Sequence, residues 1–171
     1  MSESHERDET LPAAVRLAHI NATGDAHIVD VSGKNESRRV AKATGSITMS
    51  RDALDAVRAN SIVKGDVLAV ARIAGIMGAK RTADMIPLCH PLPLANIELD
   101  LSLDESVPCI RATSTVVTTA STGVEMEAIV AVAIALTTVY DMAKSMDRAM
   151  VIGGIRLLSK TGGKSGDYAA P

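Results

Sequence analysis

Two groups of ionisable residues flank a long uncharged stretch in the last third of the chain. Glu127 precedes this stretch, Asp141 and Lys144 follow it, and residues 128–140 carry no charge. A carboxylate and an ammonium three residues apart can transfer protons or hold an anionic substrate. An ordinary surface ion pair, worth about 0.2 to 0.5 kcal/mol, is the competing interpretation of Asp141 and Lys144. For Glu127 the competing interpretation is a solvated acid in the first turn of a helix.

A second candidate lies in a loop framed by prolines. His90 is flanked by Pro87, Pro91 and Pro93, whose rings restrict the backbone and leave few N–H donors. A stiff loop that presents a histidine suits anion binding or proton transfer, and it suits a hydrogen-bonded structural histidine equally well. The sequence leaves both roles open for His90.

Lysines near glycines form a third group of candidates. Lys64 precedes a Gly-Asp pair, and Lys160 and Lys164 lie in a glycine-rich segment near the C-terminus. This segment is not a P-loop, because Leu158 stands where that motif has glycine and too few residues follow to form its helix. A flexible basic arm that closes over phosphates remains the prediction.

Composition bounds the class of protein. The chain has 171 residues, 47% of them hydrophobic, which fits one domain with an ample core. It has no Trp, no Phe and only two tyrosines, so aromatic platforms for stacking nucleic-acid bases cannot be assembled. The net charge of −2 gives no electrostatic footprint for duplex DNA or an anionic membrane. The predicted protein therefore has neither nucleic acid nor membrane as a partner.

The cysteines and the ends of the chain complete this picture. Cys89 and Cys109 are the only two cysteines and lack zinc-site spacing, so reduced thiols, no metal and no cofactor are expected. The first 25 residues are polar and lack the apolar core of a signal peptide, so a cytoplasmic protein is expected. We predict a flexible leader over residues 1–25, one catalytic domain over 26–161, and a flexible Gly/Lys tail over 162–171.

Hydrophobic periodicity predicts the elements that must position these residues. Strands are predicted at about 27–31, 38–48, 97–103 and 152–160, with another ending near 118, and helices at about 50–58, 67–81 and 124–146. Ser50 and Asp66 are predicted N-caps, and residues 122–125 match a capping box. From residue 38 the order is βαββαβ with one added short helix, which predicts an α+β, ferredoxin-like domain with an extra N-terminal strand.

The candidate residues also fall within six segments whose order and spacing resemble the MoaC family. The motifs are Lys-Gly-Asp, Ala-Gly-Ile through Lys-Arg-Thr, Ile-Pro-Leu-Cys-His-Pro, Thr-Gly-Val-Glu-Met-Glu, Val-Tyr-Asp-Met-Ala-Lys, and Arg through Gly-Gly-Lys-Ser-Gly, at 64–66, 74–82, 86–91, 122–127, 139–144 and 156–166. The resemblance covers roughly residues 19–168. It departs at Gly154, where relatives often have proline, and at Ala83, where some carry a larger side chain.

The resemblance implies an enzyme of molybdenum-cofactor biosynthesis. Such a lyase converts 3′,8-cyclo-7,8-dihydroguanosine 5′-triphosphate into a pyranopterin with a cyclic phosphate and releases pyrophosphate, without a cofactor. The resemblance assigns catalysis to Asp141 and Lys144. It assigns substrate binding or the lining of the pocket to Lys64, Leu88, Cys89, His90, Glu125, Met126, Glu127 and Lys160.

Family likeness further implies a hexamer assembled from dimers, and helix geometry predicts how its active sites form. Glu127 and Asp141 share one face of the predicted helix but lie about 21 Å apart along its axis. Because a compact nucleotide pocket can hardly use both ends, we expect active sites at a two-fold dimer interface. Two other classes stay open: a non-enzymatic ferredoxin-like module that senses a nucleotide, and a structural oligomer with a charged rim.

Overall fold

The computed structural model describes residues 19–20, 23–164 and 166–171. This part of the chain has an α+β architecture, with a five-stranded antiparallel sheet and four helices. Most of the predicted leader lies outside the described residues. The elements are β1 (Ser37–Thr48), α1 (Arg51–Arg58), α2 (Val67–Lys80), α3 (Thr82–Met85), β2 (Leu94–Asp104), β3 (Cys109–Ala120), α4 (Glu125–Ala143), β4 (Val151–Thr161) and β5 (Tyr168–Ala169).

The sheet has the strand order β2-β3-β1-β4-β5, and every neighbouring pair is antiparallel. Strand β2 shows that the sheet has one buried face. Leu99 and Leu101 are buried, whereas Glu98 and Asp100, which alternate with them, are exposed. This alternation is typical of an antiparallel sheet that is covered on one side only. The predicted half-buried strand is therefore confirmed.

Helices α2 and α4 cover the buried face of the sheet. Helix α4 packs against β1, β3, β4 and α2, and the buried Ser114 hydroxyl of β3 donates a 2.7 Å hydrogen bond to the Ala128 carbonyl of α4. Helix α2 is tied to the sheet by Arg72, whose Nε donates to the Leu99 carbonyl at 3.0 Å. The core thus fixes the position of α4, whose two ends carry the candidate residues.

Two glycines of α2 let this helix approach α4 closely. A Cβ atom at Gly75 would lie 2.7 Å from the Ala131 carbonyl oxygen, and one at Gly78 would lie 2.8 Å from Cγ1 of Ile134. Real Cβ atoms do not tolerate such distances, so only glycine fits without a shift of one helix. These two glycines therefore set how closely α2 and α4 can pack.

Helix α4 has the length and apolar composition of a membrane span. However, more than half of its most apolar window is buried inside the protein, where it packs against α2 and the sheet. Core helices of soluble proteins have the same composition. Burial against the sheet therefore accounts for the uncharged stretch.

Two of the predicted helix starts are confirmed. The Ser50 hydroxyl accepts a 3.3 Å hydrogen bond from the Ala53 amide, and the Asp66 carboxylate accepts one of 3.0 Å from the Ala69 amide. Both side chains satisfy first-turn N–H groups that have no partner within the helix. Asp66 thereby also fixes the loop that carries Lys64.

Two local predictions are wrong. Residues 27–31 do not form a strand, because this segment lies across the groove described below and its Val29 carbonyl bonds His90 instead of the sheet. The capping box at 122–125 is also absent: Val124 is the N-cap, and no side chain caps the helix. The Glu125 carboxylate pairs with Lys160 at 3.5 Å instead.

Two short elements have no counterpart in the sequence prediction. Helix α3 spans four residues just before the proline-framed loop, and β5 pairs with β4 at Lys160 and Tyr168 within the segment predicted as a flexible tail. Both are too short to produce a recognisable hydrophobic period. Their positions follow from tertiary contacts.

Candidate functional site

Three charged side chains meet at the C-terminal end of α4. Lys144 donates a 2.8 Å hydrogen bond to Oδ1 of Asp141, and Lys64 donates at 2.8 Å to both Oδ2 and the main-chain oxygen of Asp141. All three side chains are about half exposed. A plain i, i+3 surface pair has two members, whereas this cluster recruits a lysine from 77 residues away. We call these three residues the acid-lysine cluster.

Electrostatics in this cluster favour the charged forms. Hydrogen bonds from Lys144 and then Lys64, together with their positive charges, lower the pKa of Asp141 to about 2. The hydrogen bond to Asp141 and its negative charge raise the pKa of Lys144. Near neutral pH this lysine is therefore an ammonium and can donate a proton, and it can act as a base only after giving one away.

A groove opens at the opposite end of α4. One part of it, which we call the inner part because it contains the buried Glu127, is a cavity of about 320 Å³. This cavity is lined by Leu88, Cys89 and His90 of the proline-framed loop and by residues at the start of α4, among them Glu125, Met126 and Glu127. Glu127 is only 4% exposed although it lies in the first turn. The solvated-acid interpretation of Glu127 is therefore wrong.

Burial governs the ionisable groups of this inner part. It raises the pKa of Glu127, and the negative charge of Glu125 raises it further, against a backbone hydrogen bond that lowers it. Burial also raises the pKa of the Cys89 thiol, with an added contribution from the charge of Glu127. A thiol with a raised pKa is a poor nucleophile, so Cys89 fits a contact role better than covalent catalysis.

The outer part of the groove is basic. A cavity of about 570 Å³ is lined by Lys34, Arg39, Lys160 and Lys164, with Glu125 as its acid. This volume falls within the range of ligand-binding cavities. The two parts share Lys34, Thr122, Gly123 and Glu125 as lining residues, so they form one continuous groove.

Arg39 and Lys160 are held in place by different partners. Arg39 donates through Nε to the Ala120 carbonyl at 2.9 Å and through Nη2 to the Ser121 carbonyl at 3.0 Å. Lys160 lies 3.5 Å from the Glu125 carboxylate. The groove therefore presents cations held by the end of β3, by Ser121 and by the first residue of α4, and such an arrangement suits an anion.

Metal ligands are not grouped in the part of the chain that the structure describes. No three or more His, Cys, Asp and Glu side chains are placed there so as to hold a metal ion.

Residues 28–163 match the model of the MoaC family. The chain belongs to the MoaC family.

Curated relatives agree with this assignment over nearly their whole length. A protein of Jannaschia sp. (strain CCS1) is 53% identical over 156 residues, which cover 91% of this chain and 96% of the relative. One of Heliobacterium modesticaldum is 55% identical over 152 residues, covering 89% and 96%. One of Cereibacter sphaeroides (strain ATCC 17029) is 53% identical over 154 residues, covering 90% and 97%. All three are named cyclic pyranopterin monophosphate synthase.

Within this MoaC-family chain the predicted residues form two separate groups. Lys64, Asp141 and Lys144 meet at the C-terminal end of α4. The remaining candidates line the groove at the N-terminal end of α4. They are Leu88, Cys89, His90, Glu125, Met126, Glu127 and Lys160. Asp141 follows Glu127 by fourteen positions along the helix, which corresponds to about 21 Å along the axis. One chain does not bring the two groups together.

The structure also adds groove residues that the sequence prediction missed. Val29, Val31 and Lys34 line the groove, although residues 27–31 were expected to form a strand. Gly123 lies under the Glu125 carboxylate, which would have to move to admit a side chain at this position. The alternation of Val29, Asp30 and Val31 indicates that the two valines share a partly buried face. It does not indicate which part of the protein that face packs against.

Proposed function

We propose that this protein converts 3′,8-cyclo-7,8-dihydroguanosine 5′-triphosphate into cyclic pyranopterin monophosphate, with release of pyrophosphate, in molybdenum-cofactor biosynthesis. The observation that carries the proposal is the identity of more than half of the aligned residues, nearly end to end, with relatives that bear the synthase name. The protein would be a cytoplasmic lyase.

The acid-lysine cluster is the proposed catalytic centre. The reaction breaks and remakes bonds at a guanine-derived ring and then expels pyrophosphate when a ribose hydroxyl attacks the innermost phosphate. Both stages need proton transfers. Lys144 would first donate a proton, since its pairing with Asp141 keeps it charged, and would accept one only after that step. Asp141 would orient Lys144 and relay protons.

The groove is the proposed substrate-binding site. The half-enclosed inner part, with Glu127, Cys89 and His90, would hold the guanine-derived ring, whose N–H groups suit a carboxyl acceptor. The basic outer part, with Lys160 and Arg39, would hold the triphosphate. Leu88 and Met126 would provide apolar contact to the ring.

Complete active sites would then be shared between two chains. About 21 Å separates the groove from the acid-lysine cluster along α4 of one chain. A two-fold axis between two such helices places the groove of one protomer beside the cluster of its partner and makes two equivalent sites. Lys64 of the cluster would add a further cation near the phosphates. We extend the proposal to a hexamer built as a trimer of such dimers.

A ferredoxin-like fold is the proposed topological class. The order β2-β3-β1-β4 with antiparallel neighbours, and two helices on one face, support it. Helix α1 and strand β5 would be additions to this core.

A turnover assay tests the proposed function. The full-length protein is incubated with the cyclic dihydro-GTP substrate, and pyrophosphate and the pterin product are measured. Stoichiometric release of both supports the synthase. Tight binding without any pyrophosphate would point to the alternative, a nucleotide-sensing module, which the acid-lysine cluster disfavours because binding alone needs no such constellation.

A further inference from the structure

Residues 27–34 form a strap across the inner groove. Val29 and Val31 are half-buried, and their neighbours Ile28, Asp30 and Ser32 are exposed. Together with Lys34, the two valines line the same cavity as His90 and Glu127. The strap is therefore a wall of the groove, although it belongs to no strand of the sheet.

One hydrogen bond joins the strap to the proline-framed loop. His90 Nε2 and the main-chain oxygen of Val29 are 2.8 Å apart. A carbonyl oxygen has no proton to give, so Nε2 must carry the proton of this bond. In a neutral imidazole the other nitrogen, Nδ1, then has the free lone pair. Among the described residues, no protein hydrogen bond involves His90 Nδ1.

The strap is held by two turns that directly follow Val29. The Asp30 carboxylate accepts a 2.9 Å hydrogen bond from the Ser32 amide, and the Lys34 amide donates to the Val31 carbonyl at 3.0 Å. An Asx turn of this kind fixes the backbone locally. The direction of the Val29 carbonyl is thus set by its neighbours in sequence.

We propose that Val29 is a positioning residue whose main-chain carbonyl holds His90 as the Nε2–H tautomer and leaves Nδ1 as the nitrogen that meets the substrate. In the neutral ring Nδ1 accepts a hydrogen bond or a proton from a substrate N–H or O–H group. The part that concerns the substrate rests on the proposed function, whereas the tautomer is a property of the protein alone.

The surroundings of His90 are compatible with this role. The other ionisable groups lining the same cavity are His19, Lys34, Cys89, Glu125 and Glu127. None of these groups forms the hydrogen bond that fixes the His90 ring, because the partner of Nε2 is the main-chain oxygen of Val29. A fixed neutral tautomer lets the ring accept at one defined atom without an energetic cost of ring flipping or proton exchange.

Nitrogen NMR of the unliganded full-length protein tests the tautomer directly. With ¹⁵N-labelled histidine, the His90 signals are assigned by their loss in His90→Gln, and long-range ¹H–¹⁵N correlations distinguish protonated from unprotonated ring nitrogens. Above the pH at which the ring loses its charge, we expect protonated Nε2 and unprotonated Nδ1. A neutral ring that is protonated at Nδ1, or one that exchanges between both forms, would overturn the proposal whatever the enzyme's activity.

The strap is tested by a matched pair of variants at Asp30. Asp30→Ala removes the acceptor of the Asx turn, and Asp30→Asn keeps an oxygen in the same place. We expect Asp30→Ala to mix the His90 tautomers and Asp30→Asn to retain the wild-type spectrum. Wild-type His90 signals in Asp30→Ala would contradict the part played by these turns in setting the Val29 carbonyl.

A second pair of variants, at His90, tests which ring nitrogen contacts the substrate. The amide of asparagine reaches about the position of Nδ1, and that of glutamine reaches the position of Nε2. If Nδ1 meets the substrate, His90→Asn should retain roughly tenfold more kcat/KM than His90→Gln, the worth of one hydrogen bond to a polar group. The reverse ranking, with both variants folded, assigns the substrate contact to Nε2 and overturns the proposal.

If the wild type releases no pyrophosphate at all, the proposed function fails while the tautomer result stands.

Discussion

The two ends of α4 carry the same kind of chemical group in opposite environments. At the N-terminal end Glu127 is 4% exposed, whereas at the C-terminal end the Asp141 side chain is 57% exposed. Burial raises the pKa of Glu127, and two lysines lower that of Asp141 to about 2. One helix thus presents a carboxyl group that resists ionisation and another that resists protonation.

This difference shows how one helix can serve two tasks. A carboxyl with a raised pKa lies in a half-enclosed groove, where hydrogen bonds to a ring are strong because water is partly excluded. A carboxylate that is charged at neutral pH lies beside ammonium groups, where it orients them for proton transfer. The apolar turns between the two are core, and they hold both groups at a fixed separation.

The largest expected effect follows from removing the charge at the exposed end. Asp141→Asn or Lys144→Ala should abolish turnover while changing the free energy of unfolding only slightly, because both side chains are half exposed and lie outside the packed core. Pyrophosphate release and chemical denaturation are the two measurements.

Asp55 provides the matched control for Asp141. It also pairs with a cation three residues on, Arg58, at 3.1 Å, and its side chain is 49% exposed. Asp55→Asn should leave turnover unchanged. Near-normal turnover by folded Asp141→Asn would mean that Asp141 only forms a surface ion pair with Lys144 and is not catalytic.

A smaller effect is expected on binding at the basic cavity. Lys160→Ala should weaken binding of the triphosphate substrate more than Lys42→Ala, whose lysine is exposed on the open face of the sheet. Lys64→Ala should also weaken binding, because Lys64 joins the cluster that a shared site brings near the phosphates.

Calorimetry at increasing salt gives the accompanying test. Affinity for the substrate should fall as salt rises, since exposed charge contacts are screened over about 8 to 10 Å. If Lys42→Ala, Lys160→Ala and Lys64→Ala bind equally tightly, the basic groups only solvate the surface.

Titration by carboxyl ¹³C NMR should separate the two ends further. We expect Asp141 to titrate near pH 2 and to move toward its ordinary value of 3.8 in Lys144→Ala. Glu127 should titrate above its ordinary value of 4.5 in the same variant, unaffected by the distant lysine. If both groups titrate above, or both below, their ordinary values, the two ends of α4 do not provide opposite electrostatic environments.

The smallest expected effect concerns stability and pH. Because the folded-state pKa of Glu127 is raised, the folded state retains a proton that the unfolded state has lost, so its contribution to stability falls as pH rises above about 4.5. Glu127→Gln should remove this fall and raise the melting temperature at neutral pH relative to wild type. The depressed pKa of Asp141 acts oppositely, with a contribution that is lost as pH falls from 3.8 toward 2. A larger fall of stability with pH in Glu127→Gln would refute the assignment.

Much of this arrangement could be predicted from local signals. Period-2 alternation in β2, the capping side chains Ser50 and Asp66, and the uncharged stretch of α4 each record a local preference that the fold retains. The resemblance to the MoaC family identified the candidate residues. Their roles stay predictions, but their grouping at two ends of one helix followed from counting residues.

The missed features depend on contacts between distant segments. Nothing near Asp141 in sequence indicates Lys64, which reaches it from 77 residues away. The alternating pattern at 27–31 predicted a strand because it indicates that one face is partly buried. The pattern cannot show that Val29 and Val31 line a groove instead of packing on a sheet. Likewise, Glu125 satisfied the capping-box pattern, but Lys160 attracts its carboxylate across the fold.

Complementation between inactive chains tests the shared active site most directly. Inactive Glu127→Gln and Asp141→Asn chains are mixed, dissociated, reassembled, and assayed for pyrophosphate release, with wild-type chains taken through the same treatment. If each site combines the groove of one chain with the acid-lysine cluster of another, a mixed dimer has one doubly altered site and one intact site, and part of the activity returns. Mixed oligomers that are verified by mass spectrometry and stay inactive, while the treated wild type recovers, would mean that each active site is built within a single chain.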